Sequence, residues 1–214
     1  AAGPSKAAGA ASPAPRTEPA TGRVLQFPPD YSMGTVSFGG QEVDARGTVS
    51  VPDGETVQLT LNDAGAADLS PLDSFDPAAI QSLSLQGTSV QNEQLVHLQE
   101  LTGLNELSLG NTAITEEGIQ YLAGLTDLRR LNLNSTAVGD GAMTYLHDMT
   151  NMEELILNRT QVGDAGLSEI QHLTNLTYLD LWLLDVSDEG MQYLRNLTNL
   201  TELGMEDTLI TDEG

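Results

Sequence analysis

From residue 80 onward the chain repeats one apolar pattern every 24 residues, without an insertion. Its most regular feature is a pair of leucines separated by one residue, with a methionine as the second member in the last copy. The pairs are Leu83/Leu85, Leu107/Leu109, Leu131/Leu133, Leu155/Leu157, Leu179/Leu181 and Leu203/Met205. A fixed period of this length is typical of a solenoid, because one unit cannot bury its own apolar face and needs its neighbours.

Within each unit the periodicity changes. Residues 178–182 alternate as a short strand does, whereas the apolar positions of residues 191–197 follow a helical spacing. Between them lies a turn such as Val186-Ser-Asp-Glu-Gly, whose hydroxyl can cap the helix and whose carboxylates lie at the positive end of the helix dipole. Strands stack about 4.8 Å apart and helices about 8–10 Å apart. The sequence therefore predicts a curve with a parallel sheet inside and short helices outside.

The repeated pattern Leu-x-x-Leu-x-Leu-x-x-Thr-x-Val/Ile-x-Asp-x-Gly-Leu/Met-x-x-Leu-x-x-Leu-Thr resembles the bacterial 24-residue leucine-rich repeat. The resemblance covers residues 80–214 and implies an α/β leucine-rich-repeat solenoid. A threonine column holds the position where the family more often has asparagine, and we expect its hydroxyls to bond to loop backbone. This column is Thr88, Thr112, Thr136, Thr160 and Thr208. Leu184 interrupts it, so we expect a locally different loop in the fifth unit.

Composition divides the rest of the chain. Residues 1–22 are rich in Ala and Pro and predict a disordered linker. Residues 23–79 predict a small β-rich N-terminal cap and a degenerate first repeat; within them, a Pro52-Asp-Gly54 turn between β-branched residues 48–51 and 56–61 predicts a hairpin. Residues 80–214 hold the repeats. No polar capping unit follows them, so we expect the array to be truncated at its C-terminus.

The charge is strongly negative and argues against two classes of partner. The formal net charge is −23, and residues 77–214, with 4 bases and 21 acids, contribute −17 of it. Such a surface repels nucleic acid and anionic membranes. It is either a generally acidic, soluble surface or one that selects cationic partners. No apolar stretch reaches the length of a transmembrane helix, so we expect no membrane insertion in this segment.

Few residues suggest catalysis or metal binding. The chain has no cysteine, and its three histidines, His97, His147 and His172, occupy different repeat columns on the predicted helix side, without metal-ligand spacing. The recurrent aspartates of the Asp-x-Gly turns are interpreted as helix-start charges, since a calcium loop needs several oxygen ligands within one loop. We therefore predict a protein that is not an enzyme, with no cofactor and no metal site.

The residues that flank the paired leucines are predicted to face the inside of the curve, here called the concave face. Its early units offer small polar groups, and its later units offer an aromatic pair that includes the only tryptophan. Aromatic and arginine side chains are enriched at binding hot spots. The predicted ligand-binding residues are Arg130, Asn132, Asn134, Glu154, Ile156, Asn158, Arg159, Tyr178, Asp180 and Trp182. The competing interpretation is that Trp182 packs against a neighbouring loop or against missing sequence.

These observations predict a non-catalytic, monomeric scaffold that binds a protein or peptide, cationic ones included, through its concave face. As the leucine-rich repeat is used widely for protein–protein contact, the resemblance implies a protein partner rather than a small molecule. Two alternatives stay open: a targeting module of a larger enzyme whose catalytic domain lies outside this segment, and a structural spacer in the cell envelope. The sequence leaves the compartment undetermined, with an extracytoplasmic or cell-envelope location favoured over the cytoplasm.

Overall fold

A computed structural model describes residues 22–212, and one long sheet dominates it. The strands are β1 Gly22–Gln26, β2 Gly34–Phe38, β3 Gln41–Asp44, β4 Thr48–Pro52, β5 Gln58–Leu61, β6 Ser82–Ser84, β7 Glu106–Ser108, β8 Arg130–Asn132, β9 Glu154–Ile156, β10 Tyr178–Asp180 and β11 Glu202–Gly204. The long sheet has the order β3-β2-β5-β6-β7-β8-β9-β10-β11, and β1 pairs with β4 in a separate antiparallel ribbon. All pairs from β5 to β11 are parallel.

Short helices follow the strands along the chain. The α-helices are α1 Asp63–Ala67, α2 Glu116–Ile119, α3 Asp140–Met143, α4 Asp164–Ile170 and α5 Asp188–Leu194. Tight 3-10 turns occupy Ser70–Ser74, Asn92–Leu98, Gln120–Leu122 and Thr144–Leu146. The predicted order of strand, turn and short helix is confirmed, as is the parallel inner sheet of a solenoid. Two predicted caps also form, since the Thr115 and Ser187 side chains accept hydrogen bonds from the amides two residues later.

The parallel strands pair without any slip in register. Leu83 lies opposite Leu107, Leu107 opposite Leu131, and the same pairing continues to Leu203. Equivalent side chains therefore stack on one another, and the column is fully buried as far as Leu179. At the end of the sheet Leu203 is only half-buried, because no described strand pairs with the outer edge of β11. Its neighbours Met205 and Leu209 are exposed there.

The threonine column bonds to the loop backbone as predicted. Each hydroxyl donates to the carbonyl oxygen three residues earlier, at distances of 2.6 to 2.8 Å. The prediction of a different loop at Leu184 is wrong. The Leu184 amide donates to the Leu181 carbonyl at 3.2 Å, as the Thr160 amide does to that of Leu157 at 3.2 Å. Leu184 simply buries its side chain in place of the hydroxyl.

The residue before each member of this column is left-handed. Gly87 has φ 72°, and the non-glycine positions are Asn111, Ser135, Arg159, Leu183 and Asp207, with φ between 54° and 57°. Each of the first five donates its amide to the carbonyl of the next unit, as Leu183 does to Glu206 at 3.1 Å. These bonds continue the sheet past the strand ends. The stacked backbone thus imposes the same loop on Gly and on Leu, although a left-handed conformation costs an L-residue about 1–2 kcal/mol.

The turn aspartates act on the neighbouring unit, which the sequence interpretation did not foresee. Asp140 accepts hydrogen bonds from the Gly163 and Gly166 amides at 2.7 and 2.9 Å, so it caps α4, whose own N-cap Gly163 has no side chain. Asp164 in the same way accepts from the Ser187 amide and hydroxyl at 2.9 and 2.6 Å. The carboxylates therefore bind successive units to each other at the starts of their helices.

The predicted hairpin of residues 48–51 with 56–61 is wrong. β4 pairs with β1, while β5 pairs with β2 on one side and with β6 on the other. Both edges of β5 are therefore occupied, and no edge is free for β4. Arg23 of β1 holds the ribbon against the repeats, since its guanidinium donates to the Ala78 and Ala79 carbonyls at 3.0 and 3.1 Å and to the Glu55 carbonyl.

The proposed division of the chain at residues 22 and 79 stays a prediction. Residues 1–21, which carry most of the predicted linker, lie outside the described residues. Gly22 already belongs to β1. The apolar residues of the predicted degenerate first unit, Leu69, Leu72 and Phe75, are buried in the common core.

Replacing Leu131 with alanine tests the stacking of the core. Leu131 is 1% exposed, and the loss of such a side chain costs about 2–5 kcal/mol. In a one-dimensional stack the damage separates the units on its two sides, so we expect a lower melting temperature and a broadened or split transition in calorimetry. Thr126→Ala, at an exposed position, is the control. An unchanged single transition in Leu131→Ala would contradict the stacking model.

The Leu183 position tests whether the stack imposes the loop. Leu183 is 41% exposed and left-handed, so Leu183→Gly should remove a conformational cost of about 1–2 kcal/mol, partly offset by the greater entropy of glycine in the unfolded chain. Leu183→Ala is the matched control, because it loses the same side-chain contacts and keeps the cost. We expect the glycine variant to melt above the alanine variant, and the opposite order would show that the loop is not imposed.

The hydrogen bonds between Asp188 and Thr211 can be tested by titration. Hydrogen bonds from the Thr211 hydroxyl and then from its amide hold the pKa of Asp188 below its ordinary value of 3.8. The stabilisation from these bonds is thus complete above pH 3.8 and is lost as the pH falls through the lowered pKa. Carbon-13 NMR of the Asp188 carboxyl group should show a lowered midpoint that rises in Thr211→Val. Equal midpoints in both proteins would rule out the bond.

Candidate functional site

The in-register strands arrange the side chains of the concave face in columns. The first column is Ser82, Glu106, Arg130, Glu154, Tyr178 and Glu202; the second is Ser84, Ser108, Asn132, Ile156, Asp180 and Gly204; the third, just after the strands, is Gln86, Gly110, Asn134, Asn158, Trp182 and Glu206. Because the intervening leucines are buried, these residues are left facing solvent on the opposite side of the sheet. All are half-buried or exposed except Gly110.

A hollow of about 280 Å³ lies over strands β5 to β9. Four predicted site residues line it, namely Arg130, Asn132, Glu154 and Ile156. Sequence reasoning left the other polar lining residues out of the site: Gln58, Ser82, Ser84, Gln86, Glu106 and Ser108. Five of these stand in or beside the same columns, so the pattern contained them. Gln58 could have been found from its spacing, since it lies 24 residues before Ser82 and pairs with it.

Arg130 is held between two glutamates of its own column. Its guanidinium lies 2.5 Å from Glu106 on β7 and 2.9 Å from Glu154 on β9. The hydrogen bond to Glu154, followed by the charges of Glu154 and Glu106, raises the pKa of Arg130 above its ordinary range. Within the concave face, this arginine therefore neutralises charge on both sides of β8.

The asparagine side chains of the second and third columns already form hydrogen bonds within the protein. The carboxamide oxygen of Asn132 accepts a hydrogen bond from the backbone amide of Asn134 at 2.9 Å, and the side-chain amide of Asn158 donates to the Asp180 carboxylate. The Asn134 Oδ1 atom is buried without a hydrogen-bond partner among the described residues. It lies where a side chain on Gly110 would stand, since a Cβ there would come within 2.0 Å of it. Gly110 thus makes room for Asn134, and these groups are fixed in position.

Trp182 is half-buried between the loops of two other units. Its indole Nε1 donates to the Asp207 carboxylate at 3.2 Å. The guanidinium carbon of Arg159 lies over the ring, 4.5 Å from the ring centroid. Its amide donates to Asp180 at 3.0 Å. The structure therefore brings Trp182, Arg159 and Asp180 together. The contacts of the indole with two neighbouring loops, Arg159 over the ring and Asp207 at its N–H, agree with the competing interpretation. Whether Trp182 is a binding anchor stays a prediction.

Tyr178 stands in the first column, half-buried, on the strand that leads to Trp182. Burial is the main factor that raises the pKa of its phenol. The charges of Asp180, Glu202, Glu154 and Glu206 act in the same direction. The phenol is thus surrounded by acidic groups from three strands and one loop, and this part of the concave face carries strong negative potential.

On the convex side, two of the three histidines come into contact. The His147 and His172 ring centroids are 4.2 Å apart, and the His172 Nε2 donates to the His147 carbonyl at 2.6 Å. They line a broad depression together with Glu169 and Asn196. The spacing of 25 residues, one more than the repeat, brings them together across neighbouring units. Between residues 22 and 212, no group of three or more His, Asp or Glu side chains is arranged to hold a metal ion.

Known proteins with a similar sequence pattern and a similar architecture exist. A family model described as a leucine rich repeat matches residues 148–170. The crystal structure of internalin C2 from Listeria monocytogenes is similar, with a TM-score of 0.61 and 28% identity, over 72% of this chain and 63% of that chain. The chain is a leucine-rich-repeat protein. The crystal structure of internalin F from the same organism shares the fold, with a TM-score of 0.52 and 23% identity, over 64% of this chain and 44% of that one. No curated protein sequence matches.

The leucine-rich-repeat protein thus spans about 63% of the internalin C2 chain that it resembles. Its fold presents the parallel sheet as one extended surface. None of the helices described between residues 22 and 212 is long and apolar enough to cross a membrane.

Proposed function

We propose that this leucine-rich-repeat protein binds a protein or peptide across its concave face, without chemistry of its own. The observation that carries the proposal is the set of three columns, made mostly of polar side chains with one arginine and two aromatic residues, on strands β6 to β11 and the loops that follow them. These side chains stand on hydrogen-bonded strands or on the loops that continue the hydrogen-bond ladder, so little order has to be gained on binding. The ten predicted residues form the contact surface, with Tyr178 and Trp182 as its anchors.

Two features of the anchors support this role. Tyr178 and Trp182 are half-buried on one strand and the loop that follows it, and tyrosine and tryptophan are the residues most enriched at binding hot spots. Arg159 and Asp207 hold the Trp182 ring in place, and its remaining surface stays open to a partner. A targeting module of an enzyme would use the same surface, whereas a structural spacer would not need it.

A photo-crosslinking amino acid tests the face. It is placed at Ile156, inside the concave columns, or at Tyr145, which is 39% exposed on the convex side. We expect covalent adducts with a specific polypeptide at position 156 and none at position 145. Adducts confined to position 145 would refute binding through the concave face, and the lack of a specific adduct at either position would favour a spacer.

The anchors are tested by the double substitution Tyr178→Ala, Trp182→Ala, with Tyr145→Ala as an aromatic control on the other side. Truncation of hot-spot residues costs at least about 2 kcal/mol each, so we expect the adduct at position 156 to disappear while the melting temperature changes little. A large fall in melting temperature with unchanged crosslinking would show that both aromatics serve the core.

A further inference from the structure

Two positions in the first column of the concave face, Arg130 and Tyr178, can be compared directly. Arg130 on β8 lies between Glu106 and Glu154, which stand opposite it in register on the neighbouring strands. Tyr178 on β10 occupies the equivalent place between Glu154 and Glu202. The two places therefore have the same flanking carboxylates. The first has a cation between them and the second has an aromatic ring.

Arg130 already binds Glu154, but the other acidic groups around Tyr178 have no such cation among the described residues. Among residues 22–212, Asp180, Glu202 and Glu206 form no ion pair, and Asp180 is held instead by the neutral Asn158 side chain and by the Trp182 amide. The nearest cations of the face are already engaged, since Arg130 binds two glutamates and Arg159 lies on the Trp182 ring.

The surroundings of Tyr178 also suit a cation with an apolar stem. A positively charged group is attracted to the face of an aromatic ring. Ile156 stands on the neighbouring strand, opposite Asp180, and offers an apolar surface for the methylene groups of a long side chain. On the other side of Asp180 the equivalent position is Gly204, and the Asp180 carboxylate occupies the space of the missing side chain, since a Cβ there would lie 2.8 Å from its Oδ1 atom.

We propose that a lysine or arginine side chain of the protein partner occupies the place above Tyr178, between Glu154 and Glu202, as Arg130 does between Glu106 and Glu154. This inference rests on the proposed function and adds the chemistry of the partner. Charge complementarity then orients the partner, with its cationic group at β10 and its uncharged polar groups toward the hollow over β5 to β9.

Trp182 provides a direct measurement, because it is the only tryptophan in the chain and lies in the loop that follows the strand of Tyr178. A short acetylated and amidated peptide of alternating lysine and glycine is titrated into the 214-residue chain, with a glutamine–glycine peptide as the neutral probe. We expect a change of fluorescence with the lysine peptide that is absent with the glutamine peptide.

Tyr178→Arg is the decisive variant, since it places a cation of the protein itself between the two glutamates. We expect it to lower the affinity for the lysine peptide at least about tenfold, because hydrogen bonds to a charged group contribute a binding free energy of that size. Glu202→Gln, at an exposed strand end, tests the same site with less risk to folding, which thermal melting checks in both variants. Asp127→Asn is the matched control: it removes one charge outside the columns, where the next two units carry Asn151 and Asn175.

Three results would overturn the inference: no difference between the lysine and glutamine peptides, unweakened binding to a folded Tyr178→Arg and Glu202→Gln, or equal weakening by Asp127→Asn. The last result would mean attraction to net charge alone. If crosslinking at position 156 persists in any of these cases, binding through the concave face stands and only the cationic anchor fails.

Discussion

The hydrogen bonds between parallel strands hold every unit in the same register, and the other features of the protein depend on this constraint. A slip of one residue would exchange the buried and exposed faces of a strand, so the leucine columns permit only one alignment. The same alignment decides which concave side chains become neighbours. Arg130 meets Glu106 and Glu154 because each lies 24 residues from the next.

The repeats are also bound together on the helix side, by contacts that vary in residue type while keeping one geometry. Asp140 caps the helix of the next unit, whose N-cap residue is glycine, and Asp164 binds the serine that caps the helix of the unit after that. Each aspartate accepts hydrogen bonds from amides of the next unit. The loss of one carboxylate therefore weakens an interface between units. Stability in this protein is therefore shared between neighbours.

Periodicity predicted the fold well, because the buried columns are a direct consequence of burial and spacing. It failed where the environment of a residue overrides its own preference. Leu184 lacks a hydroxyl and Leu183 disfavours a left-handed backbone, yet both adopt the common loop, since the amide of Leu183 is already part of the ladder between units. The hairpin between β4 and β5 failed for a related reason, since local turn signals do not reveal that β5 already has two partners.

The candidate site was predictable in its columns and only partly in its contents. Spacing from Leu83 and Leu85 back to Leu59 and Leu61 would have extended the face to β5 and included Gln58. The bonds that fix Trp182 could not be inferred, because they depend on side-chain rotamers in loops from different units. The partial burial of Tyr178 among carboxylates likewise depends on side chains from three strands and one loop, which no single unit contains.

The fixed spacing of the strands limits how any partner uses this face. A chain laid across the strands meets a new concave side chain about every 4.8 Å, whereas its own same-side residues recur about every 6.6–6.8 Å when extended or about every 5.4 Å per helical turn. The two repeats drift out of phase, so contacts cannot be equally good along the whole sheet. Binding energy must then concentrate at a few anchors, which agrees with the placing of Tyr178 and Trp182, the two aromatic residues of the three columns, together on one strand and its loop.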